Sequence, residues 1–146
     1  MTKRLFLAIE LPDEMRRVFF EWQENYGHLR GVKWVPAENL HVTVEFYGDV
    51  EEDKIPELVD RIVLKPFELE FKEIVLAPPN RPPRMIWADF GDYHVTLARF
   101  KQPIYLSGLK QPEIKERKFE VDSVQLMESE LTPERPYYKI IESIKL

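Results

Sequence analysis

Cysteine is absent from the 146 residues, and only five glycines and three histidines occur. Threonine is equally scarce, at Thr2, Thr43, Thr96 and Thr132. Without a thiol the chain has no disulfide framework, no Cys-ligated zinc or iron–sulfur centre and no thiol nucleophile, and it suits a reducing compartment. Long apolar runs are also missing. Met1 to Glu10 has Lys3 and Arg4 ahead of an apolar stretch over residues 5–9, too short for a secretory signal or for the roughly 20 residues of a membrane span. A cytoplasmic protein with no membrane contact is expected. Excess positive charge is lacking too: 21 Lys+Arg against 26 Asp+Glu gives −5. Coating of nucleic acid by bulk charge is therefore excluded, and an anionic partner needs a local basic patch. What remains is an ordinary core-forming composition, 44% hydrophobic. One domain over residues 1–146 is expected, because a chain near this length buries roughly 68–70% of its extended surface and needs no staple.

Residues 5–9 read as a buried strand. Pro12 and Asp13 open a helix whose Met15, Val18, Phe19 and Trp22 recur at helical spacing, with Gly27 or Gly31 as its end. Residues 32–35 and 40–47 are strands. The acidic residues 51–53 lead into a second helix to about Val63, with Ile55, Leu58, Val59 and Ile62 on its apolar face. Residues 67–76 alternate as one half-buried strand. Four prolines, with Arg81 and Arg84, make 78–84 a loop. Strands at 85–90 and 93–100 join through Gly91-Asp92 as a tight hairpin. Residues 105–106 give a short strand signal, 119–127 alternates, and 137–146 closes the chain as a last strand. About eight strands and two helices in this order predict an α+β fold.

Two of the three histidines begin the same tripeptide, His41-Val42-Thr43 and His94-Val95-Thr96, 53 residues apart. In a strand, residues i and i+2 share a face. Each copy therefore sets an imidazole beside a hydroxyl and turns valine to the core. A neutral imidazole can take a proton from water while an imidazolium gives one to a leaving oxygen, since imidazole titrates near pH 6.5. Two threonine hydroxyls can donate to the non-bridging oxygens of a phosphate. A single His-x-Thr strand is ordinary packing, and two histidines with Glu45 on the same face could instead bind a metal. Repetition within so few histidines and threonines favours acid–base chemistry with no metal and no cofactor. His28, at a helix end, reads as a solvated residue.

These residues resemble the two-histidine (2H) phosphoesterase superfamily, in its branch of RNA 2′,3′-cyclic phosphodiesterases, historically called 2′-5′ RNA ligases. The likeness runs through most of the chain: residues 4–12, Trp34-Val-Pro, residues 39–48, Arg84-Met-Ile-Trp87, residues 94–99, Ser129-Glu-Leu and Pro136-Tyr-Tyr. It implies an α+β fold of two pseudo-symmetric lobes of antiparallel sheet, with flanking helices, around a central cleft. It implies hydrolysis of 2′,3′-cyclic phosphate ends to a 2′-phosphomonoester, with His41 as proton donor, His94 as proton acceptor, and Thr43 and Thr96 holding the phosphate. The substrate implied is RNA with a cyclic phosphate end, such as a tRNA fragment, or a small cyclic nucleotide. Ligation through a 2′-5′ bond at the same site and a non-catalytic RNA-end or nucleotide-binding module are the alternatives.

The chain departs from that pattern in three places. The family places a helix between the Trp87 strand and His94, where only Gly91-Asp92-Tyr93 intervenes; the second lobe is shortened, and a monomer or a homodimer covering the open face is expected. Tyr93 stands where proline commonly precedes the second histidine. Glu45 follows the first motif, where it would oppose an anion and raise the pKa of a neighbouring histidine if it faced the site. Arg84 and Arg81 are candidate substrate-binding residues, with Lys33 and Arg99. Strict alternation turns Arg99 away from His94 and Thr96. Tyr47 and Tyr93 are candidates for stacking a base.

Overall fold

Residues 5–9 form the middle of β1 (Thr2–Glu10) in a computed structural model that describes residues 1–104, 106 and 108–146. All five side chains are at most 3% exposed, so this strand is covered on both faces. That is why it reads as a continuous apolar run and not as an alternation. Pro12 caps α1 (Asp13–Asn25), whose first turn carries Asp13 and Glu14 at the positive end of the helix dipole. Its buried residues are Met15, Phe19, Trp22 and Gln23. The chain continues through β2 (Val32–Trp34), a single 3-10 turn at Ala37–Asn39, β3 (His41–Glu51), a second 3-10 turn at Glu52–Lys54 and α2 (Ile55–Arg61). Then follow β4 (Phe67–Glu70), β5 (Glu73–Ala77), β6 (Met85–Asp89), β7 (His94–Phe100), β8 (Lys118–Val121), β9 (Ser123–Glu130) and β10 (Tyr137–Lys145).

The described residues thus hold ten strands where about eight are expected, because two expected strands are each divided. Residues 67–76 change partners at Phe71 and Lys72: β4 pairs with β8, while β5 pairs with β6. Phe71, 1% exposed, packs its ring on Phe19 at 5.2 Å and on Phe90 at 5.7 Å. The alternation of side chains survives such a break, so period alone does not reveal it. The 119–127 segment divides likewise at Asp122. The second helix stops at Arg61, two residues before the expected end, and Val63 is 84% exposed. The short strand expected at Tyr105 lies outside the described residues.

The chain divides into two compact units. One holds residues 1–10, 43–68 and 120–146; its strand order is β10-β9-β1-β3, and its core includes Leu5, Leu7, Val124 and Leu126. The other holds residues 11–42 and 69–119. In it the start of β3, β7, β6 and β5 lie in that order, β2 also pairs with β7, and α1 contributes Met15, Phe19 and Trp22 to the core. Neither unit is one continuous segment. The hairpin at Gly91-Asp92 forms as expected: the Phe90 N–H donates to the Tyr93 carbonyl at 2.9 Å, and Gly91 sits at φ 89°. A two-residue turn thus stands where the resemblance implies a helix.

Candidate active site

Val42 of β3 and Val95 of β7 are directly opposite in an antiparallel pair, and both are 0% exposed. Pleating turns their neighbours to the other face. His41, Thr43, His94 and Thr96 are all half-buried there, as the repeated tripeptide predicts. The register about the valines sets His41 alongside Thr96. His41, His94 and Thr96 belong to the same unit, and Thr43 is the next residue of β3 on the same face.

Each imidazole is fixed from a different direction. His41 Nδ1 lies 2.6 Å from the carbonyl oxygen of Asn39 in the 3-10 turn that precedes β3. A carbonyl only accepts, so Nδ1 carries the hydrogen, and Nε2 is left with its lone pair when the ring is neutral. His94 lies flat on the indole of Trp87 in β6, with ring centroids 3.8 Å apart and planes 14° from parallel. Trp87 pairs with Thr96, and Asp89 pairs with His94 itself.

Burial lowers the pKa of both histidines. For His41, Arg16 and Arg99 push further down, against the Asn39 carbonyl. For His94, Arg99 adds to the lowering and Asp89 opposes it. These surroundings therefore favour the neutral form of both rings in the free protein. Either can serve as a base directly, and the one that serves as an acid takes up its proton when an anion arrives beside it.

Arg99 reaches this face, contrary to strict alternation, because β7 contains a bulge. Ile86 pairs with Ala98 but Trp87 pairs with Thr96, leaving Leu97 without a partner on β6. Leu97 and Ala98 are both 0% exposed, so two successive residues point to the core and Arg99 emerges on the side of Thr96. Lys33 of β2 is directly opposite Arg99, and both are exposed. Like charges placed directly opposite destabilise a sheet, and among the described residues neither cation has an ion-pair partner within the protein. Arg16 was not evident from the sequence. It comes from α1, donates to the Ala37 carbonyl at 2.9 Å, and adds charge near His41.

Arg81 and Arg84 are exposed in the Pro-rich loop, and neither acts on the imidazoles. The Arg84 guanidinium donates to the Lys101 carbonyl at 2.6 Å. Glu45 is exposed, accepts a hydrogen bond from the Tyr47 hydroxyl, and is not among the groups that shift His41. Tyr47 and Tyr93 are half-buried, and His28 is exposed against Tyr26. Among the described residues no three His, Asp or Glu side chains gather as a metal-ligand group.

An antiparallel α+β fold presenting two His-x-Thr strand segments on one face defines a two-histidine phosphoesterase. The sequence profile of the LigT like Phosphoesterase family matches residues 9–87, more than half of the chain, and the chain belongs to that family. An RNA 2′,3′-cyclic phosphodiesterase of Methanocaldococcus jannaschii is 28% identical, covering 94% of this chain and 98% of its own. The enzyme of that name from Methanothermobacter thermautotrophicus is 28% identical over the whole of both chains. A crystal structure from Thermus thermophilus superposes with a TM-score of 0.81 at 26% identity, covering 98% of this chain and 97% of that one. No helix of the described residues is long and apolar enough to cross a membrane.

Proposed function

We propose that this protein is an RNA 2′,3′-cyclic phosphodiesterase, working as one 2H domain over residues 1–146, and that it opens the cyclic phosphate to a 2′-phosphomonoester without a metal. The observation that carries the reading is the pair of half-buried His-x-Thr segments about Val42 and Val95. Relatives bearing that name, each matched over nearly its whole length, support the substrate class. His94 removes a proton from water, whose oxygen attacks phosphorus. The bond from phosphorus to the ribose 3′ oxygen breaks, and His41 gives that oxygen a proton. One water is consumed, and the proton lost by His41 is replaced by the one His94 has taken up.

The division of roles follows the family resemblance, and the surroundings of each ring suit it. The Asn39 carbonyl directs the transferable position of His41 to Nε2, and the Trp87 stack holds His94 in plane. Thr43 and Thr96 donate to the non-bridging oxygens, where charge builds up. Arg99 and Lys33 supply local positive charge for the phosphate of an RNA end, in a chain whose net charge is −5. An RNA oligonucleotide with a cyclic end is the substrate proposed; a small cyclic nucleotide offers the same ring with fewer phosphates for these cations.

His41→Ala and His94→Ala test the reading, in EDTA, on a short RNA ending in a 2′,3′-cyclic phosphate. Each is expected to lose roughly 10²–10⁴-fold in kcat, the usual worth of general acid–base help. Melting temperatures near that of the wild type show that folding is kept. Retention of activity by both folded variants contradicts the assignment.

A further inference from the structure

We infer that Gln23 is a positioning residue for catalysis: its buried side-chain amide holds the Leu97 bulge that turns Arg99 onto the histidine face. This rests on the phosphodiesterase reading for its kinetic consequences, but not for its structural ones.

Gln23 is a polar residue on the apolar face of α1, only 4% exposed. Burying an amide is costly unless its groups are bonded. Gln23 Nε2 donates to two carbonyls, of Val35 and of Leu97, at 2.9 Å each. The Leu97 carbonyl also accepts the Val35 N–H at 3.0 Å. Leu97 is the bulged residue, lying between the part of β7 that pairs with β2 and the part that pairs with β3. On β6 no residue is opposite it, and on the other side its carbonyl is held by the Val35 N–H, at the end of the β2 register, together with the Gln23 amide. The knot fixes where the extra residue sits, and so fixes the phase of everything after it. Without the bulge Arg99 turns to the core side and Ala98 to the site. The amide contacts neither an imidazole nor Arg99, so it acts through the backbone alone.

The test combines Gln23→Met, close in shape but without donors, with Arg99→Met and with the double variant. The imidazole titrations are followed by proton–carbon NMR, alongside steady-state hydrolysis and thermal melting. Gln23→Met and Arg99→Met are both expected to move the His41 and His94 titrations upward, because Arg99 repels each protonated ring. Gln23→Met is expected to lower kcat/KM about tenfold, the scale of one lost charge-assisted contact. In the Arg99→Met background the same change is expected to cost less than about twofold, since coupled sites are non-additive. A merely structural role predicts a lower melting temperature, unmoved titrations and effects that multiply, and that result overturns the inference. If Gln23→Met does not fold, Gln23→Asn keeps a buried amide drawn back by one methylene, and a smaller shift in the same direction is expected; unmoved titrations there overturn the inference too. Absence of turnover by the wild type contradicts the phosphodiesterase reading, while the titrations still decide the role of Gln23.

Discussion

His41 and His94 share a tripeptide but not an environment, and the difference sets how they titrate. Both are lowered mainly by burial, and Arg99 adds to the lowering of each. A reaction that needs one ring neutral and the other protonated gives a bell-shaped profile of kcat/KM, reporting the free enzyme. The acid loses its proton as pH rises through its value, and the base loses its function as pH falls through its own. With both values depressed, the maximum is expected below the ordinary imidazole value of about 6.5. Arg99→Met removes a repulsion from the protonated form of each ring and is expected to move both limbs upward. A stopped assay across pH 4.5–8 with wild type and Arg99→Met checks this; a wild-type maximum above pH 7.5 contradicts it. At this scale the sequence is most legible for the four residues of the repeat, because i and i+2 in a strand fix their common face. The partners of the rings are not legible. Asn39 acts by its main-chain carbonyl and Trp87 by cross-strand register, and neither leaves a mark in the composition of the motif.

Among the elements, β7 carries the chief discrepancy between pattern and structure. Alternation through residues 94–100 puts Arg99 with the core, yet Leu97-Ala98 places two apolar residues together in an alternating strand. That adjacency is the signal of a bulge, and its location needs the β6 register to be certain. The hairpin before β7 was readable, since glycine at the first position of a two-residue turn supplies a positive φ without steric cost. Gly91→Ala meets no atom within 4 Å, so its penalty is conformational alone. It is expected to cost about 1–2 kcal/mol, and urea unfolding of the wild type and variant measures it. A variant as stable as the wild type contradicts the turn geometry. The division of 67–76 into β4 and β5 was not readable: both halves alternate, and only the burial of Phe71 against Phe19 and Phe90 distinguishes the point where the strand changes partner.

Over the whole molecule, the net charge of −5 and the cations on the histidine face serve different ends. An acidic surface keeps nucleic acid from binding generally, while Arg99 and Lys33, directly opposite each other on neighbouring strands, make one place where an anion relieves a repulsion. Fold class and family were legible from the order of strands and the spacing of the motifs. The distribution of residues between two units was not, because the chain passes from one to the other within β3, just after Val42. The central claim is that water, activated between two histidines with no metal, opens the cyclic phosphate on the 3′ side. Phosphorus NMR of a short RNA with a 2′,3′-cyclic end, turned over in EDTA and half-enriched H2(18)O, tests it most directly. The account predicts a single 2′-phosphomonoester signal, split by incorporation of one labelled oxygen. A 3′-phosphate product, a 2′-5′ linked product without label, or a cyclic phosphate left intact by folded enzyme would contradict it.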